Sequence, residues 1–126
     1  MFDAKTLEAA ARQKEVELTT FGRKSGRPSR RVIWVTPMDG RLYIRSGVGM
    51  TREWPKNLRA NGRGILHIGG TDLPVQARHV TDSTEARSLH QPIKQKYNAQ
   101  RPASTGDEPL TASEVAVFEL VPAERD

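Results

Sequence analysis

The sequence predicts an α+β domain in which an antiparallel sheet curls into a barrel. Short stretches rich in β-forming residues outnumber the helical patterns, and turn residues separate several of them at hairpin spacing. Strands joined by hairpins favour an antiparallel sheet over a parallel one. The 126 residues suit one domain, because domains cluster near about 100–150 residues. We therefore expect a single domain over residues 1–126.

The N-terminal part predicts a helix followed by a strand. Asp3 stands in the N-cap position of an apolar stripe that continues to about Lys14. Residues 1–15 are therefore expected to form an N-terminal helix. Val16 to Phe21 then alternates apolar and polar residues, as a half-buried strand does.

The next region predicts a loop and a hairpin. Glycine, proline and serine fill Gly22 to Ser29, which indicates an exposed loop. Arg31 to Pro37 is typical of a strand that is apolar on both faces. Asp39-Gly40 is a strong signal for a tight turn into a second strand, Arg41 to Ser46.

The middle of the chain predicts a helix and a second hairpin. Thr51 can cap a short helix that has Pro55 in its first turn and ends near Ala60. Ile65 to Ile68 and Leu73 to His79 are two strands across a glycine-rich turn.

The C-terminal third predicts a helix, a loop and a last strand. Asp82 begins a capping box, and the helix that follows reaches Tyr97, although Pro92 must kink or divide it. Residues 100–112 are rich in proline, glycine, serine and acid, which predicts a surface loop. Val115 to Val121 is the last strand. The expected total is six strands with two or three short helices.

Charge is segregated along the chain. Gly22 to Arg63 holds eleven Lys or Arg residues against only Asp39 and Glu53, whereas the rest holds nine basic and thirteen acidic residues. The two parts carry +9 and −4, which together give the net charge of +5. A segregated field concentrates anions on one face. We therefore expect residues 22–63 to bind an anion.

Cysteine is absent, so neither a disulfide framework nor a thiolate metal site is expected. His67, His79 and His90 stand at no spacing that metal sites favour, and no metal site is predicted. The N-terminal residues lack the apolar core of a signal peptide, and no apolar run approaches the ~20 residues of a membrane-spanning helix. These features predict a cytoplasmic protein.

The most informative motif is Gly22-Arg23-Lys24-Ser25-Gly26-Arg27. Glycines let a backbone approach a phosphate closely, and arginine, lysine and serine donate hydrogen bonds to its oxygens. The Gly-x-x-x-x-Gly-Lys-Ser spacing of a Walker loop is missing. A solvated basic turn is the alternative, and Arg30 and Arg31 in the next strand favour binding.

Three segments together make the chain resemble the deazaflavin-dependent nitroreductase family. They are Leu18-Thr19-Thr20-Phe21-Gly22-Arg23-Lys24-Ser25-Gly26, the turn at Asp39-Gly40, and Trp54-Pro55-Lys56-Asn57-Leu58-Arg59-Ala60-Asn61. The resemblance runs from about Glu17 to Val121. It implies a six-stranded split β-barrel of the FMN-binding, flavin-reductase-like kind. It also implies an 8-hydroxy-5-deazaflavin coenzyme (coenzyme F420) as the cofactor, with FMN as the alternative.

The chain departs from that family's pattern at two places. Relatives often have a lysine with paired glycines where this chain has Arg45-Ser46-Gly47-Val48-Gly49, and an Asn-Pro where it has Asn61-Gly62. The stretches Val32 to Val35, Leu42 to Ser46 and Lys94 to Tyr97 also look like a small uncharacterised group of flavin-barrel proteins.

The resemblance implies a set of site residues, with the anionic end of the cofactor on the basic turn and its planar ring near Ser46. The cofactor-binding residues so implied are Arg23, Lys24, Ser25, Gly26, Arg31, Arg45, Ser46, Trp54 and Asn57. Trp54 can equally pack its helix on the barrel, and Asn57 can simply cap or tie down a loop. Ser46 and Tyr97 are the candidates for catalysis. Tyr97 or Tyr43 could donate a proton, although packing or structural hydrogen bonding is the simpler role for both tyrosines.

Three classes of function follow. The first is an oxidoreductase that passes hydride from a deazaflavin or flavin to a small electron-poor acceptor such as a quinone, a nitro compound or an enone. The second is a non-catalytic carrier or sensor of a flavin, a deazaflavin or haem. The third is a nucleic-acid-binding basic module, for which the sequence offers charge but no reading helix and no RNA-binding signature.

A homodimer is also expected. The aromatic share of 6% supplies few large core anchors. The strands around Val32 to Val35 and Val115 to Val121 are apolar on both faces, so a second copy could cover barrel surface.

Overall fold

In a computed structural model of the chain, residues 2–98 and 103–123 are described. They form a seven-stranded antiparallel sheet with helices around it. The strands are β1 Val16–Phe21, β2 Pro28–Ile33, β3 Val35–Met38, β4 Arg41–Arg45, β5 Arg63–Ile68, β6 Thr71–His79 and β7 Val117–Pro122. The helices are α1 Ala4–Arg12, α2 Glu53–Asn61, α3 Ser83–Ser88, α4 His90–Tyr97 and α5 Ala112–Val115, with a 3₁₀ turn at Gly49–Thr51. No helix within these residues is long and apolar enough to cross a membrane.

The sheet curls so that its two edges meet at Trp34. The strand order is β2-β1-β5-β6-β7-β4-β3, so β2 and β3 are opposite edges. Yet β2 ends at Ile33 and β3 begins at Val35, with one residue between them. A single residue can join opposite edges only if the sheet bends round to bring them together. The result is a curled half-barrel with helices around it, which confirms the predicted α+β class.

The prediction of a single strand over Arg31 to Pro37 is wrong, because two strands, β2 and β3, cover this region. β2 begins earlier, at Pro28, and pairs with β1, whereas β3 pairs with β4. At Trp34 the chain stops pairing with β1 and starts pairing with β4. The alternation of apolar and polar side chains does not show where a strand changes its neighbour. The sheet therefore has seven strands rather than six.

Several local predictions are confirmed. Asp39 and Gly40 have φ values of 54° and 75°, as a tight hairpin turn requires. The side chain of Asp3 accepts a hydrogen bond from the amide of Thr6 and caps α1. The helix predicted up to Tyr97 is divided into α3 and α4, and Pro92 lies in the first turn of α4, where its missing N–H has no cost.

Two predicted boundaries are wrong. Thr51 does not cap α2, because Arg52 is the N-cap residue and the Thr51 hydroxyl donates to the carbonyl of Val48. The last strand does not begin at Val115, because α5 precedes it with a capping box of its own. Of the loop predicted over 100–112, residues 100–102 lie outside the described residues, and residues 103–111 contain neither helix nor strand.

Two apolar clusters hold these elements together. The inner face of the sheet forms the larger one, with Leu18, Leu66 and Phe118 against α1 and against Leu58 of α2. The smaller cluster packs α3 and α4 on the outer face, and its buried members are Tyr43, Val80, Ala86, Leu89, Ile93 and Val117. Because Leu58 belongs to the inner core and α2 contacts β1, the start of α2 is fixed beside the turn that follows β1.

Candidate functional site

Two adjoining cavities open beside the corner at Trp34. The basic cavity, of about 880 Å³, is lined by the turn after β1, by β2 and by the start of α2. The narrow cavity, of about 260 Å³, lies between that corner and the loop after β4. Val32, Arg52 and Trp54 line both cavities. The two cavities therefore meet at these three side chains.

The floor of the basic cavity is the end of the inner face of β1 and β2. Thr20 is paired with Ser29, and Leu18 with Arg31, so these four side chains share one face of the sheet. Leu18 is buried in the core, whereas the other three line the cavity. The apolar inner face thus becomes polar where the cavity begins.

The turn between β1 and β2 is held in shape by its own hydrogen bonds. The amide of Gly22 donates to the carbonyl of Arg27, and the amide of Gly26 donates to the carbonyl of Gly22. Ser25 Oγ accepts from the amide of Arg27 at 3.1 Å. A Cβ on Gly22 would lie 2.7 Å from Ser25 Oγ, so a larger residue there would push the serine hydroxyl away from the amide of Arg27. It presents the exposed Lys24 to the cavity.

Helix α2 fastens that turn through Arg23. Asn57 Oδ1 accepts from the backbone amide of Arg23 at 3.2 Å and from its Nη1 at 2.9 Å. Glu53 Oε2 accepts from the same Nη1 at 2.6 Å. This hydrogen bond from Arg23 holds the pKa of Glu53 below its usual value. Asn57 ties down the turn, which is one of the roles predicted for it.

Positive charge dominates the basic cavity. Its described lining includes five cationic side chains and one acidic side chain, namely Arg23, Lys24, Arg27, Arg31, Arg52 and Glu53. Within residues 2–98 and 103–123, Arg23 is the only one of the five cations that forms an ion pair. The other four leave an uncompensated positive field, which attracts anions.

Each cavity is also lined by one residue whose hydroxyl is buried and lacks a hydrogen-bond partner in the described part of the chain. Thr20 lines the basic cavity and is 1% exposed, and Ser46 lines the narrow cavity and is 3% exposed. Buried polar groups are nearly always hydrogen-bonded, because an unpaired one costs about 1–3 kcal/mol. Both hydroxyls are suited to bind a polar ligand.

One wall of the narrow cavity is aromatic and apolar, and the remaining lining includes the charged Glu15 and Arg52. Trp34 stacks on Tyr97, with ring centroids 4.0 Å apart and planes inclined by 3°. Val32, Trp34 and Val48 line this cavity while remaining 59%, 43% and 45% exposed. Arg45 and Ser46 add polar groups at the end of β4. A flat apolar wall with a few polar groups suits a planar ring.

Neither candidate tyrosine lines the two cavities, although the Tyr97 ring stacks on Trp34, which lines the narrow one. The Tyr97 hydroxyl lies 2.6 Å from the carbonyl oxygen of Lys14 and 3.0 Å from that of Val35, and burial raises its pKa to about 12. The Tyr43 hydroxyl donates to Glu85, and burial raises the pKa of Tyr43 also. Neither is among the described residues that line a cavity. Catalysis by Tyr97 stays a prediction that its position does not support.

Most of the other predicted site residues lie together. The basic cavity is lined by Arg23, Lys24, Ser25, Arg31, Trp54 and Asn57, and the narrow cavity by Arg45, Ser46 and Trp54. Gly26 is part of the turn, with a φ of 73°, and is not among the described lining residues.

Thr20, Arg52 and Glu53 line the site and were missed by reasoning from the sequence. Thr20 lies within the motif that resembles the nitroreductase family, but the alternation of apolar and polar residues around it indicates only that it belongs to a strand. Arg52 and Glu53 begin a helix, and the one available signal was their place at a helix N-terminus, where anions are often bound.

Solved structures of other proteins share this fold. A pyridoxamine 5′-phosphate oxidase candidate from Listeria innocua has a TM-score of 0.67 and 16% identity over 95% of this chain and 92% of its own. A conserved hypothetical protein from Mycobacterium tuberculosis has a TM-score of 0.66 and 17% identity over 99% and 82%. An F420-H2 dependent reductase has a TM-score of 0.55 and 20% identity over 86% and 95%. At these identities the likeness shows the fold alone.

The sequence shows a family relationship that the fold alone does not. None of the curated proteins matches the chain. Residues 6–118 match DUF2255, a family of uncharacterised proteins conserved in bacteria. The deazaflavin-dependent nitroreductase family that the motifs resemble is not confirmed as the chain's own. Since the match covers most of the 126 residues, the chain belongs to the DUF2255 family.

Proposed function

We propose that this chain is an oxidoreductase that binds a deazaflavin or flavin cofactor along the two joined cavities. The anionic tail of the cofactor lies in the basic cavity and its ring lies in the narrow cavity. The observation that carries the proposal is the pair of buried, unpartnered hydroxyls, Thr20 and Ser46, one in each cavity. A ligand long enough to reach both would give each hydroxyl the partner that the described chain does not.

The residues of the two cavities have different tasks in this proposal. Lys24, Arg31 and Arg52 neutralise the anionic tail. Ser46 donates a hydrogen bond to an edge of the ring, while Trp34 and Trp54 flank the ring and keep water from it. The bound cofactor supplies hydride transfer, so the chain itself has only to bind, orient and shield.

The size and charge of the basic cavity favour the deazaflavin over FMN. FMN carries one phosphate, whereas the deazaflavin coenzyme carries a phosphate and an acidic tail. About 880 Å³ lined by five cations can hold more than one anionic group. The acceptor we propose is a small electron-poor compound such as a quinone, a nitro compound or an enone.

A non-catalytic carrier is the second candidate. The hydroxyls of Tyr97 and Tyr43 are both engaged by carbonyl or carboxylate oxygens. Ser46 is then the remaining candidate for a proton donor at the ring, and serine is a weak acid. A protein that binds the cofactor tightly but transfers no hydride to any of the three acceptor classes would be this carrier.

The test is a titration of the purified protein with the deazaflavin coenzyme and with FMN. Lys24→Ala combined with Arg31→Ala is expected to weaken binding at least ~100-fold, because charge-assisted hydrogen bonds contribute ~1.5–3 kcal/mol each and ~1.4 kcal/mol is a factor of ten. We choose Lys24 and Arg31 because Arg23 also holds the turn against α2.

Lys5→Ala is the matched control, because Lys5 is an exposed cation on α1, outside both cavities. It should leave binding within about twofold of the parent. Absorbance changes of the reduced cofactor with each acceptor then report turnover. A parent protein that binds neither cofactor would rule out the proposed function.

A further inference from the structure

The basic cavity contains a negative charge of its own. Glu53 is the one acidic side chain among its described lining residues, and its side chain is 72% exposed. Its carboxylate accepts from Arg23 Nη1 at 2.6 Å. An anionic ligand that enters this cavity therefore meets a carboxylate already bound to one of the five cations.

Glu53 also occupies the N-terminus of α2, the place where a helix favours negative charge. It is the first residue of this nine-residue helix, and the N-cap residue Arg52 makes no side-chain capping hydrogen bond. The first amides of a helix point outward and attract anions. Thr51, Arg52 and Glu53 all line the cavity, and the unpartnered hydroxyl of Thr20 lines it also.

Arg23 does not depend on Glu53 for its position. Asn57 Oδ1 accepts from both the amide and Nη1 of Arg23. Asn57 is 6% exposed and sits one helical turn after Glu53, so it is fixed by the helix itself. Removal of the Glu53 charge should leave the guanidinium in place and free one of its donors for a ligand.

We infer that Glu53 is an internal competitor of the anionic ligand. It occupies the Arg23 guanidinium and the start of α2 in the free protein, and an incoming phosphate or carboxylate must displace it. Glu53 thereby selects among ligands by charge. A singly charged anion gains little binding free energy when it replaces Glu53, and a ligand with several anionic groups gains more. This inference rests on the proposed function, since it assumes that the basic cavity takes an anion.

The experiment compares Glu53→Gln with Glu8→Gln by isothermal titration. Glu8 is an exposed carboxylate on α1 that also pairs with an arginine, Arg12, at 3.5 Å. Both variants therefore remove one paired surface charge, but only Glu53→Gln removes it from the cavity. The probes are FMN, pyrophosphate and riboflavin, which has the ring of FMN without its phosphate.

Glu53→Gln is expected to bind FMN and pyrophosphate about two- to fivefold more tightly than the parent, the range for one solvent-exposed charge contact. The gain should shrink as salt is added. Riboflavin affinity should stay unchanged, because riboflavin brings no anion to the cavity. Glu8→Gln should change none of the three. A Glu53→Ala variant should show the same direction as Glu53→Gln.

The failure of this inference differs from failure of the proposed function. If the parent binds FMN but Glu53→Gln binds it no more tightly than Glu8→Gln does, Glu53 is no competitor and the cofactor site stands. If Glu53→Gln tightens riboflavin as much as FMN, the effect is structural and the inference is wrong. If neither the parent nor Glu53→Gln binds any probe, both proposals fail.

Discussion

The hydroxyl of Thr20 is buried and has no hydrogen-bond partner among the described residues, which costs the free protein stability. Thr20→Val replaces that hydroxyl of Thr20 by a methyl group of similar size, at a site 1% exposed. Because an unpaired buried hydroxyl costs about 1–3 kcal/mol, we expect the free energy of unfolding to rise by about 1 kcal/mol. Binding of FMN or the deazaflavin should weaken. Urea unfolding and cofactor titration measure the two effects.

The neighbouring residue provides the control. Thr19 is 7% exposed, and its Oγ1 lies 2.7 Å from Nε2 of His67. Thr19→Val removes a hydroxyl that has a partner, so it should lower the free energy of unfolding by about 1 kcal/mol and leave binding unchanged. If the two valine variants shift stability in the same direction, Thr20 is not the unsatisfied group described above.

A second prediction at this scale concerns Lys96. Its Nζ donates to the carbonyl of Val35 at 2.5 Å and to that of Ala10, and burial lowers its pKa from 10.5 to about 8. Between these two values the unfolded chain keeps the Lys96 proton and the folded chain loses it. The unfolded state then binds more protons, so this residue makes stability rise with pH.

The test compares the parent with Lys96→Met. The parent should gain about 1 kcal/mol relative to the variant as pH rises from 8 to 10.5, after allowance for the partial exposure of Lys96. Urea unfolding at several pH values measures the difference between the two proteins. Parallel pH profiles would contradict the prediction.

At the scale of elements, the contact between α2 and the basic turn is what shapes the cavity. Asn57→Ala removes the acceptor of two hydrogen bonds from Arg23. We expect a loss of about 1–2 kcal/mol in the free energy of unfolding, at about 1 kcal/mol for each hydrogen bond. The loosened turn should also bind FMN and pyrophosphate about tenfold less tightly, because its cations are no longer held in place.

Asn61→Ala separates these two effects. Asn61 lies on the same helix and also ties it down, with Nδ2 donating to the carbonyl of Phe21 and Oδ1 accepting from the amide of Arg63, both at 2.9 Å. It does not line either cavity among the described residues. Its loss should cost similar stability and leave binding unchanged. Equal losses of affinity in both variants would mean that Asn57 has no special place at the site.

The elements that the sequence predicts well are those whose signals are local. Asp39-Gly40 favours a hairpin turn, Asp3 favours the start of a helix, and Pro92 divides a helix. Each of these effects depends on the residues themselves and not on distant parts of the chain. The break at Trp34 is not local, because it depends on which strands lie beside β2 and β3. No alternation of residues contains that information.

The candidate site follows the same division. Lys24 could be predicted because it lies in a basic turn bounded by glycines, and Arg31 because it follows that turn closely in the sequence. Thr20 could not, because what distinguishes its hydroxyl is the lack of a partner in three dimensions. Glu53 could not either, because its pairing with Arg23 spans thirty residues of sequence.

At the scale of the whole molecule, the exposed apolar side chains bear on assembly. Val32, Trp34 and Val48 lie exposed around the narrow cavity, and exposed apolar groups gathered in one place are typical of interfaces. The predicted homodimer would cover them. Light scattering at micromolar concentration should give twice the mass of one chain, and Trp34→Lys should give a monomer.

Val115→Lys is the control for that experiment. Val115 is also exposed, at 42%, but it lies on α5 and lines neither cavity. This variant should remain a dimer. A parent protein with the mass of one chain would contradict the homodimer. If Val115→Lys is a monomer and Trp34→Lys is a dimer, the interface lies at α5 instead.

The corner at Trp34 also protects the alignment of the sheet. An edge strand has one neighbour, and a slip of one residue would turn its inward side chains outward. Here the two edge strands are consecutive in the chain, so β2 cannot slide along β1 unless β3 slides along β4 by the same amount. Such a double slip would expose Ile33 and Val35, which are 6% and 0% exposed. The single linking residue Trp34 thus fixes the register of two strand pairs, β1 with β2 and β3 with β4, at opposite edges of the sheet. An insertion beside Trp34 would allow each pair to slip independently.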